Sequence, residues 1–378
     1  MKKIKPSIGV FIGRFQPLHN AHLAVIKMTL EKVDHLIILL GSACQAKTIK
    51  NPWTSEERED MIRVCLNKAD NSRITIITSK DYLYNDNLWL VNLQSSLSAV
   101  WVGKNPIFGA TPNGTIDLSI LQKYTIDQNM FLDLDDCDVT LYGHDKDRST
   151  FYLHLFPQWK YYEVGDQRDN NRYLDATKVR QFFFRKQTGL IKDVCPPPVF
   201  EKLYNEIVNN TNDYNRLYDE YAHVDEYKQM WKGSPFPPIF VTTDAVVIKS
   251  GHVLVGRRRG KLGYGLLALP GGFVRDDENL TDGCIRELKE ETRIGLPKDE
   301  LIKHIRETHV FDHPERSLRG RTITHAFCID LGSGPLPKVK GDDDMKKARW
   351  MPLRDINRCE EEFFEDHWHI INYFTSRA

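Results

Sequence analysis

The sequence predicts two α/β domains in one chain: a doubly wound parallel sheet, followed by a smaller α+β domain with a mixed sheet. Three observations predict this. The 378 residues exceed one typical domain. Apolar, β-branched runs alternate with helical patterns in the first half. The pattern then changes after the triple proline at 196–198 and "KGSPFPP". We expect domains over residues 1–192 and 236–378, joined by a helical linker over 193–235.

The composition is that of an ordinary globular protein, with 41% hydrophobic and 28% charged residues. Lys plus Arg and Asp plus Glu both total 52, so no net charge draws the chain to nucleic acid or a membrane. The 7 cysteines form no CxxC pair, which favours reduced thiols. "MKKIKPSIGVFIG" reads as a first strand rather than a signal peptide. We expect a cytoplasmic location, no nucleic-acid or membrane partner and small-molecule ligands; a homo-oligomer is compatible with the sequence.

The first half reads as strands separated by helices, which predicts βαβ units. Thr54 or Ser55 caps one helix, "TSEEREDMIRVCLNKA". Residues 101–137 do not continue this alternation of strands and helices, and no element is predicted there. In the second domain, a Ser250-Gly251 turn joins two strands. The predicted strands of the first domain are "SIGVFIG", "HLIILLG", "RITIIT", "DVTLYG" and "WKYYEV".

The stretch "GVFIGRFQPLHNAH" combines a strand end, a glycine turn and a helix start that carries two histidines. Backbone N–H groups and the helix dipole favour an anion there. "LDATKVRQFFFR" follows the fifth strand, and strand C-termini share one edge of a parallel sheet. This arrangement indicates attack on a nucleotide phosphate with pyrophosphate leaving, supported by charge and positioning. The residues expected at this edge are His19, His22, Arg58, Thr177 and Arg180.

"GRFQPLHNAH" resembles the GxFxPxHxxH signature of the nucleotidyltransferase superfamily, and "ATKVR" resembles its second phosphate motif. With "NPWTSEER" and "YGHDKDRS", the chain is similar to archaeal-type nicotinamide mononucleotide (NMN) adenylyltransferases. The resemblance implies a Rossmann-like fold, catalytic roles for His19, His22 and Arg180, and NMN contacts from Trp89 and Asn85. It implies ATP contacts from Gly13, Arg14, Phe15, Arg58, Gly143, Asp145, Thr177 and Arg180.

Three of these positions leave alternatives open. Asp175 stands where the family has serine, and we expect it to cap its own helix. Arg58 is either a phosphate ligand or a solvated partner on a charged helix. Trp89 either stacks on nicotinamide or packs in the core.

"GGFVRDDENLTDGCIRELKEETRI" carries the second candidate site. Glu287, Glu290 and Glu291 fall at i, i+3 and i+4, so they share one helix face. Three clustered carboxylates favour a hard divalent cation such as Mg²⁺. Arg286 can pair with a carboxylate, and Gly271-Gly272 permits close backbone approach.

This stretch resembles the Nudix box, with Arg293 in place of its final glycine. The resemblance implies metal ligands at Gly272, Glu287, Glu290 and Glu291. It implies catalytic roles for Glu290 and Glu291, with support from Glu278 and Arg286.

"HVFDHPERSLRGRTITHAF" is similar to the loop of ADP-ribose-type Nudix domains, and "ARWMPLRDI" to their last strand. Arg316, Arg319 and Arg321 then hold ADP-ribose, or they are surface charge. Asp342–Asp344 and Glu315 are the candidates for a catalytic base.

The two resemblances together imply a bifunctional enzyme of NAD metabolism. One domain joins ATP and NMN into NAD and pyrophosphate. The other hydrolyses ADP-ribose to AMP and ribose 5-phosphate. Mg²⁺ or Mn²⁺ is expected in both domains. Two alternatives stay open: a nicotinate mononucleotide acceptor, and a Nudix half that senses an NAD metabolite without hydrolysis.

Overall fold

The computed structural model describes residues 5–98, 134, 137–145, 148–165, 168–169, 172–173 and 175–376. The chain forms two compact units, residues 1–214 and 215–378. The division falls at Tyr214, inside a long helix. The separate helical linker predicted over 193–235 stays a prediction. The unexplained segment 101–137 lies outside the described residues, apart from Leu134 and Cys137.

In the described part of the first unit, five parallel strands form one sheet with the order β3-β2-β1-β4-β5. β1 and β2 are almost entirely buried, as expected for central strands covered on both faces. The strands are β1 Ser7–Gly13, β2 His35–Ala43, β3 Ile74–Lys80, β4 Asp138–Gly143 and β5 Lys160–Glu163. A separate two-stranded ribbon pairs β6 Arg168–Asp169 with β7 Arg172–Tyr173.

Helices follow the strands of this unit and cover its sheet. Thr54 begins α2 with a capping box that Glu57 completes, and the predicted long helix after it divides into α2 and α3. The helices are α1 Asn20–Leu30, α2 Ser55–Arg63, α3 Lys68–Asn71, α4 Asp86–Ser98, α5 Ala176–Phe184, α6 Thr188–Val194, α7 Pro197–Val208 and α8 Asn212–Met230. α8 crosses the division between the units.

The second unit contains a mixed sheet in which β8 pairs parallel with β13 and antiparallel with β9 and β11. Its strands are β8 Phe240–Lys249, β9 His252–Arg258, β10 Leu267–Ala268, β11 Gly271–Phe273, β12 Ile305–Phe311, β13 Thr322–Asp330 and β14 Met345–Pro352. Its helices are α9 Leu280–Thr292, α10 Lys298–Lys303, α11 Leu353–Ile356 and α12 His367–Thr375.

The predicted fold class is confirmed in both units: a doubly wound parallel sheet, then a mixed-sheet α+β domain. Ser250 and Gly251 both have positive φ between β8 and β9, as the predicted turn requires. Leu288 of α9 packs into the core of the second unit, so the opposite face of the helix is directed away from that core. Among the residues described here, none lies in a helix long and apolar enough to span a bilayer.

Candidate active sites

The turn between β1 and α1 places two histidines side by side. His19 is the N-cap of α1, and His22 lies in its first turn. Their imidazole rings stack with centroids 3.7 Å apart, and the ring of His22 lies 4.7 Å from that of Phe15. Phe15 is buried with a φ of 51°, a left-handed conformation that bulky residues rarely adopt. The turn therefore presents both imidazoles at a helix N-terminus, where anions bind.

Helix α5 brings the second phosphate motif to the same turn. The Arg180 guanidinium donates to the Gln16 carbonyl at 2.7 Å and to the Thr177 hydroxyl at 3.1 Å. The Asp175 carboxylate accepts the Lys178 N–H at 2.9 Å, so Asp175 caps α5 as expected. The structure thus joins two segments about 160 residues apart in sequence into one anion-binding edge.

The geometry of Arg58 bears on the predicted contact with ATP. Arg58 is only 1% exposed. Burial, with Arg14 nearby, lowers the pKa of its guanidinium to about 10. Arg58 therefore ties the ends of β1 and β2 to the start of α2. It is not a solvated surface partner, and its contact with ATP stays a prediction. It donates to the Arg14 carbonyl at 2.6 Å, the Gly41 carbonyl at 2.7 Å, the Thr54 carbonyl at 3.2 Å and the Ser42 carbonyl at 3.3 Å.

Arg14 and Gly13 lie where β1 ends. Gly13 closes the strand, and a Cβ there would lie 2.9 Å from the Phe15 ring, so the turn needs a glycine. The Arg14 guanidinium donates to the Lys50 carbonyl at 3.1 Å and to the Asn51 side chain. Arg14 is therefore oriented by the segment that follows β2.

Gly143 and Asp145 lie where β4 ends. A Cβ at Gly143 would collide with Leu153, so the glycine permits this close packing. The exposed Asp145 carboxylate accepts the Thr150 hydroxyl at 2.8 Å and hydrogen-bonds His154 at 3.0 Å. These hydrogen bonds, His154 first, lower the pKa of Asp145. An ionised acceptor is thus held at the strand edge, in the position predicted to contact ATP.

Asn85 immediately precedes α4, and Trp89 lies in the first turn of this helix, which follows β3 after a short loop. The Asn85 side chain accepts the Leu88 N–H at 3.0 Å and caps the helix. Trp89 is half-buried against the core, with its ring edge-on to Tyr152 at 6.0 Å. The Tyr152 hydroxyl donates to the Ile12 carbonyl at 3.4 Å. Trp89 is therefore one side chain away from the end of β1, and NMN binding by Trp89 and Asn85 stays a prediction.

In the second unit, Arg286 gathers three carboxylates of the predicted box. It donates to Glu278 at 2.9 Å, to Glu287 at 2.7 Å and to Glu290 at 3.1 Å. The hydrogen bonds from Arg286 lower the pKa of Glu278 to about 2 and in turn raise that of Arg286. Arg286 also donates to the Phe273 carbonyl at 3.2 Å, so it joins α9 to the strand that carries the two glycines.

Glu291 lies beneath this cluster and is only 5% exposed. Burial raises the pKa of its carboxyl to about 8, although the Gly271 N–H, which donates at 2.9 Å, lowers it. Glu287 raises the pKa of Glu291 further. A Cβ at Gly272 would lie 2.6 Å from a carboxylate oxygen of Glu287. Glycine thus lets the backbone meet the carboxylates.

The donor chemistry of this cluster fits a hard cation, because all of its donors are oxygens and a buried carboxyl is held with little compensating charge. Within the described ranges, no three His, Cys, Asp or Glu side chains stand close enough to hold a metal as they are. In this conformation Glu287 and Glu290 are paired with Arg286 instead.

Arg293 occupies the position of the missing box glycine with a φ of 49°, a conformation that glycine adopts at less cost. Its side chain pairs with Asp342, so the substitution affects the helix exit and not the carboxylate face. In the same loop, Asp343 and Asp344 lie near enough to Glu287 and Glu291 to raise their pKa values. Glu315 is exposed, and the identity of the catalytic base stays open among these candidates.

Arg316 is 4% exposed, so it is not the surface charge that was the alternative interpretation. It donates two hydrogen bonds of 2.8 Å to Asp366 and lies 3.8 Å from Asp244. It is therefore a buried cation paired with carboxylates, and its contact with ADP-ribose stays a prediction. Arg319 lies over the Phe273 ring at 4.7 Å, next to the glycines. Arg321 pairs with Asp312 at 3.6 Å.

Some residues at both sites were not predicted. Gln16 lies in the turn between β1 and α1 that carries His19, called the histidine turn below. Gln16 and Trp53 are buried and hydrogen-bond each other. Beneath β11, Asp244 accepts the Thr324 hydroxyl at 2.6 Å, and His367 accepts the Leu269 N–H at 2.8 Å. One feature of the sequence could have identified Asp244: it is a charged residue inside the apolar run "VTTDAVVI".

The described folds match two known families. The Cytidylyltransferase-like family matches residues 10–146, and the NUDIX domain family matches residues 239–374. The first match includes the two histidines but ends before Thr177 and Arg180, and the second includes the carboxylate cluster.

Three known proteins are similar to one or both units of the chain. A bifunctional NMN adenylyltransferase/ADP ribose pyrophosphatase from Francisella tularensis, crystallised with AMP and a manganese ion, is 33% identical with a TM-score of 0.80. The match covers 98% of this chain and 99% of that one. The nicotinamide/nicotinic acid mononucleotide adenylyltransferase of Acinetobacter baylyi is 29% identical over 57% of this chain and 94% of its own length. The ADP-ribose pyrophosphatase of Methanocaldococcus jannaschii is 34% identical over 34% of this chain and 72% of its own length.

Proposed function

The chain belongs to the family of bifunctional NMN adenylyltransferase/ADP-ribose pyrophosphatases, and on that premise we propose that each unit carries one of these two activities. The first unit transfers the adenylyl group of ATP to NMN, releasing NAD and pyrophosphate. The second hydrolyses ADP-ribose to AMP and ribose 5-phosphate. One observation supports the first assignment above all: Arg180 and the histidine turn form a single cationic edge.

In the adenylyl transfer, an oxygen of the NMN phosphate attacks the α-phosphorus of ATP, and the bond to pyrophosphate breaks. His19 and His22 hydrogen-bond the phosphates as charge builds up in the transition state. Arg180 and Thr177 hold the departing pyrophosphate, with the N-terminus of α5 behind them. Trp89 stacks on the nicotinamide, which orients the attacking nucleotide.

In the hydrolysis, water attacks the diphosphate and AMP leaves. Glu287, Glu290, Glu291 and the Gly272 carbonyl would hold Mg²⁺ or Mn²⁺, which polarises the phosphate and lowers the pKa of the attacking water. Arg286 orients two of the carboxylates, and Arg319 faces the diphosphate. In the first site a Mg²⁺ ion would arrive with the phosphates of ATP. A cytoplasmic location is part of this proposal.

Product analysis of the full chain tests both assignments. With ATP, NMN and Mg²⁺ we expect NAD and pyrophosphate. With ADP-ribose and Mg²⁺ or Mn²⁺ we expect AMP and ribose 5-phosphate. A higher kcat/KM with nicotinate mononucleotide than with NMN would identify nicotinate mononucleotide as the preferred acceptor. If ADP-ribose binds in calorimetry but neither metal yields AMP, the second unit is a sensor and not a hydrolase.

A further inference from the structure

We propose that Glu206 on helix α7, outside the predicted first domain, positions the phosphate-binding turn of the adenylyl-transfer site through Trp53 and Gln16. This inference rests on the proposed function of the first unit. It makes a helix that follows both phosphate motifs in sequence part of the machinery that orients them.

The chain of contacts begins in the turn itself. Gln16 precedes His19 and is 1% exposed. Its main-chain carbonyl accepts the Arg180 guanidinium at 2.7 Å. Its side chain makes two hydrogen bonds to the backbone of Trp53: the amide donates to the Trp53 carbonyl at 2.8 Å, and its oxygen accepts the Trp53 N–H at 3.2 Å. A shift of Trp53 would therefore move Gln16, and with it the carbonyl that accepts the hydrogen bond from Arg180.

Trp53 is held in turn by two helices. It is 2% exposed, and its ring lies 5.2 Å from that of Phe183 on α5. Its indole N–H donates to both carboxylate oxygens of Glu206 at 3.2 Å. Both contacts of the indole N–H therefore end on one side chain, and Glu206 is the anchor at the far end of the chain.

The surroundings of Glu206 suit a half-buried anchor. Lys47 stands nearby and pairs with Glu57 at 2.9 Å and with Asp213 at 3.1 Å. Burial raises the pKa of Glu206 to about 7; the Trp53 hydrogen bond, Lys202 and Lys47 lower it, and Glu57 raises it. Glutamine at this position would keep an acceptor for the indole whatever the pH.

Substitutions in the full chain test the inference. Trp53→Phe removes the indole N–H and keeps the ring, and Glu206→Ala removes the acceptor. Each should lower the kcat/KM for NAD synthesis about tenfold, mainly through kcat, since each leaves the other member of the hydrogen bond without its partner. The double variant should lose no more than either single one, because both changes break one bond. Glu206→Gln should stay within about twofold of the wild type.

Glu201→Ala is the matched control, because Glu201 is exposed on the same helix; it should leave NAD synthesis unchanged. Losses that multiply in the double variant, wild-type rates in both single variants, or a Glu206→Gln variant as slow as Glu206→Ala would each overturn the inference. If Glu206→Ala fails to fold, Trp53→Phe with Glu206→Gln still decides the matter. A wild-type enzyme that makes no NAD overturns the proposed function and this inference with it.

Discussion

The two candidate sites handle charge in opposite ways. At the first site, cations surround the strand edge, and Arg180 donates to a neutral backbone carbonyl. At the second site, carboxylates converge on one arginine, Arg286. A guanidinium bonded to carbonyls keeps its charge available to a phosphate, whereas carboxylates paired with an arginine are already partly neutralised.

This difference teaches which charge each site suits. The first suits an anion, and its turn, caps and hydrogen bonds are formed by contacts within the protein. The second holds Glu291 with its pKa raised to about 8 by burial, so a cation would complete it. We therefore expect changes at the first site to act on transition-state contacts, and changes at the second to act on metal binding or on the stability of a buried charge network.

The largest effect is expected at the histidine pair. His19→Ala or His22→Ala should each lower NAD synthesis about a hundredfold or more, because each removes a contact to charge that develops in the transition state. ADP-ribose hydrolysis should be unchanged. The matched control is His223→Ala on α8, outside both motifs, which should leave both rates intact. Near-normal NAD synthesis in either variant would contradict the catalytic role assigned to that histidine.

Next comes the carboxylate face of α9. Glu290→Gln or Glu291→Gln should lower AMP release from ADP-ribose about a hundredfold, since each removes a charged ligand from the proposed metal site. NAD synthesis should stay at the wild-type rate. Glu300→Gln, an exposed residue on α10, serves as the control. Undiminished hydrolysis in both variants would contradict the metal assignment.

The two arginines of the loop after β12 should separate stability from binding. Arg316→Ala leaves Asp366 buried without its cation, and the free energy of unfolding should fall by about 3 kcal/mol. Arg319→Ala should change stability by less than about 1 kcal/mol, and it should raise the KM for ADP-ribose. Urea unfolding and steady-state kinetics measure both. A stable Arg316→Ala variant that fails to bind ADP-ribose would confirm the original prediction for Arg316.

A smaller effect concerns the acceptor. Trp89→Ala should raise the KM for NMN by the equivalent of about 1–3 kcal/mol, by analogy with stacking of bases on aromatic side chains. The KM for ATP should change little. Equal rises for both substrates would identify Trp89 as core packing, since a collapsed core would disturb the whole strand edge.

The smallest effect is a pH dependence confined to the first unit. Burial raises the pKa of Glu206 from the ordinary 4.5 to about 7, so between these values the folded chain keeps a proton that the unfolded chain releases. Its stabilising contribution is complete below pH 4.5 and is lost as the pH rises through 7. Because Glu206 is partly exposed, its contribution to the free energy of unfolding should be modest. Thermal unfolding from pH 4.5 to 8 should show a decline that Glu206→Gln flattens; an identical decline in that variant would rule out Glu206.

The sequence by itself determined the features that depend on local spacing. Strand and helix periods predicted both sheets, and an N-cap interpretation explained Asp175. The i, i+3, i+4 spacing placed three glutamates on one face of α9, because a helix repeats every 3.6 residues. These features follow from neighbouring residues, so they need no knowledge of the rest of the chain.

Only the tertiary structure decided which arginines are buried in contacts within the protein. Arg58 and Arg180 look alike in sequence, yet Arg58 is sealed among carbonyls that the strand ends supply. Arg316 and Arg319 are three residues apart, yet only Arg316 meets Asp366, 50 positions later. Burial and partners are set by residues distant in sequence, and an arginine binds a ligand only with donors that the fold has left available.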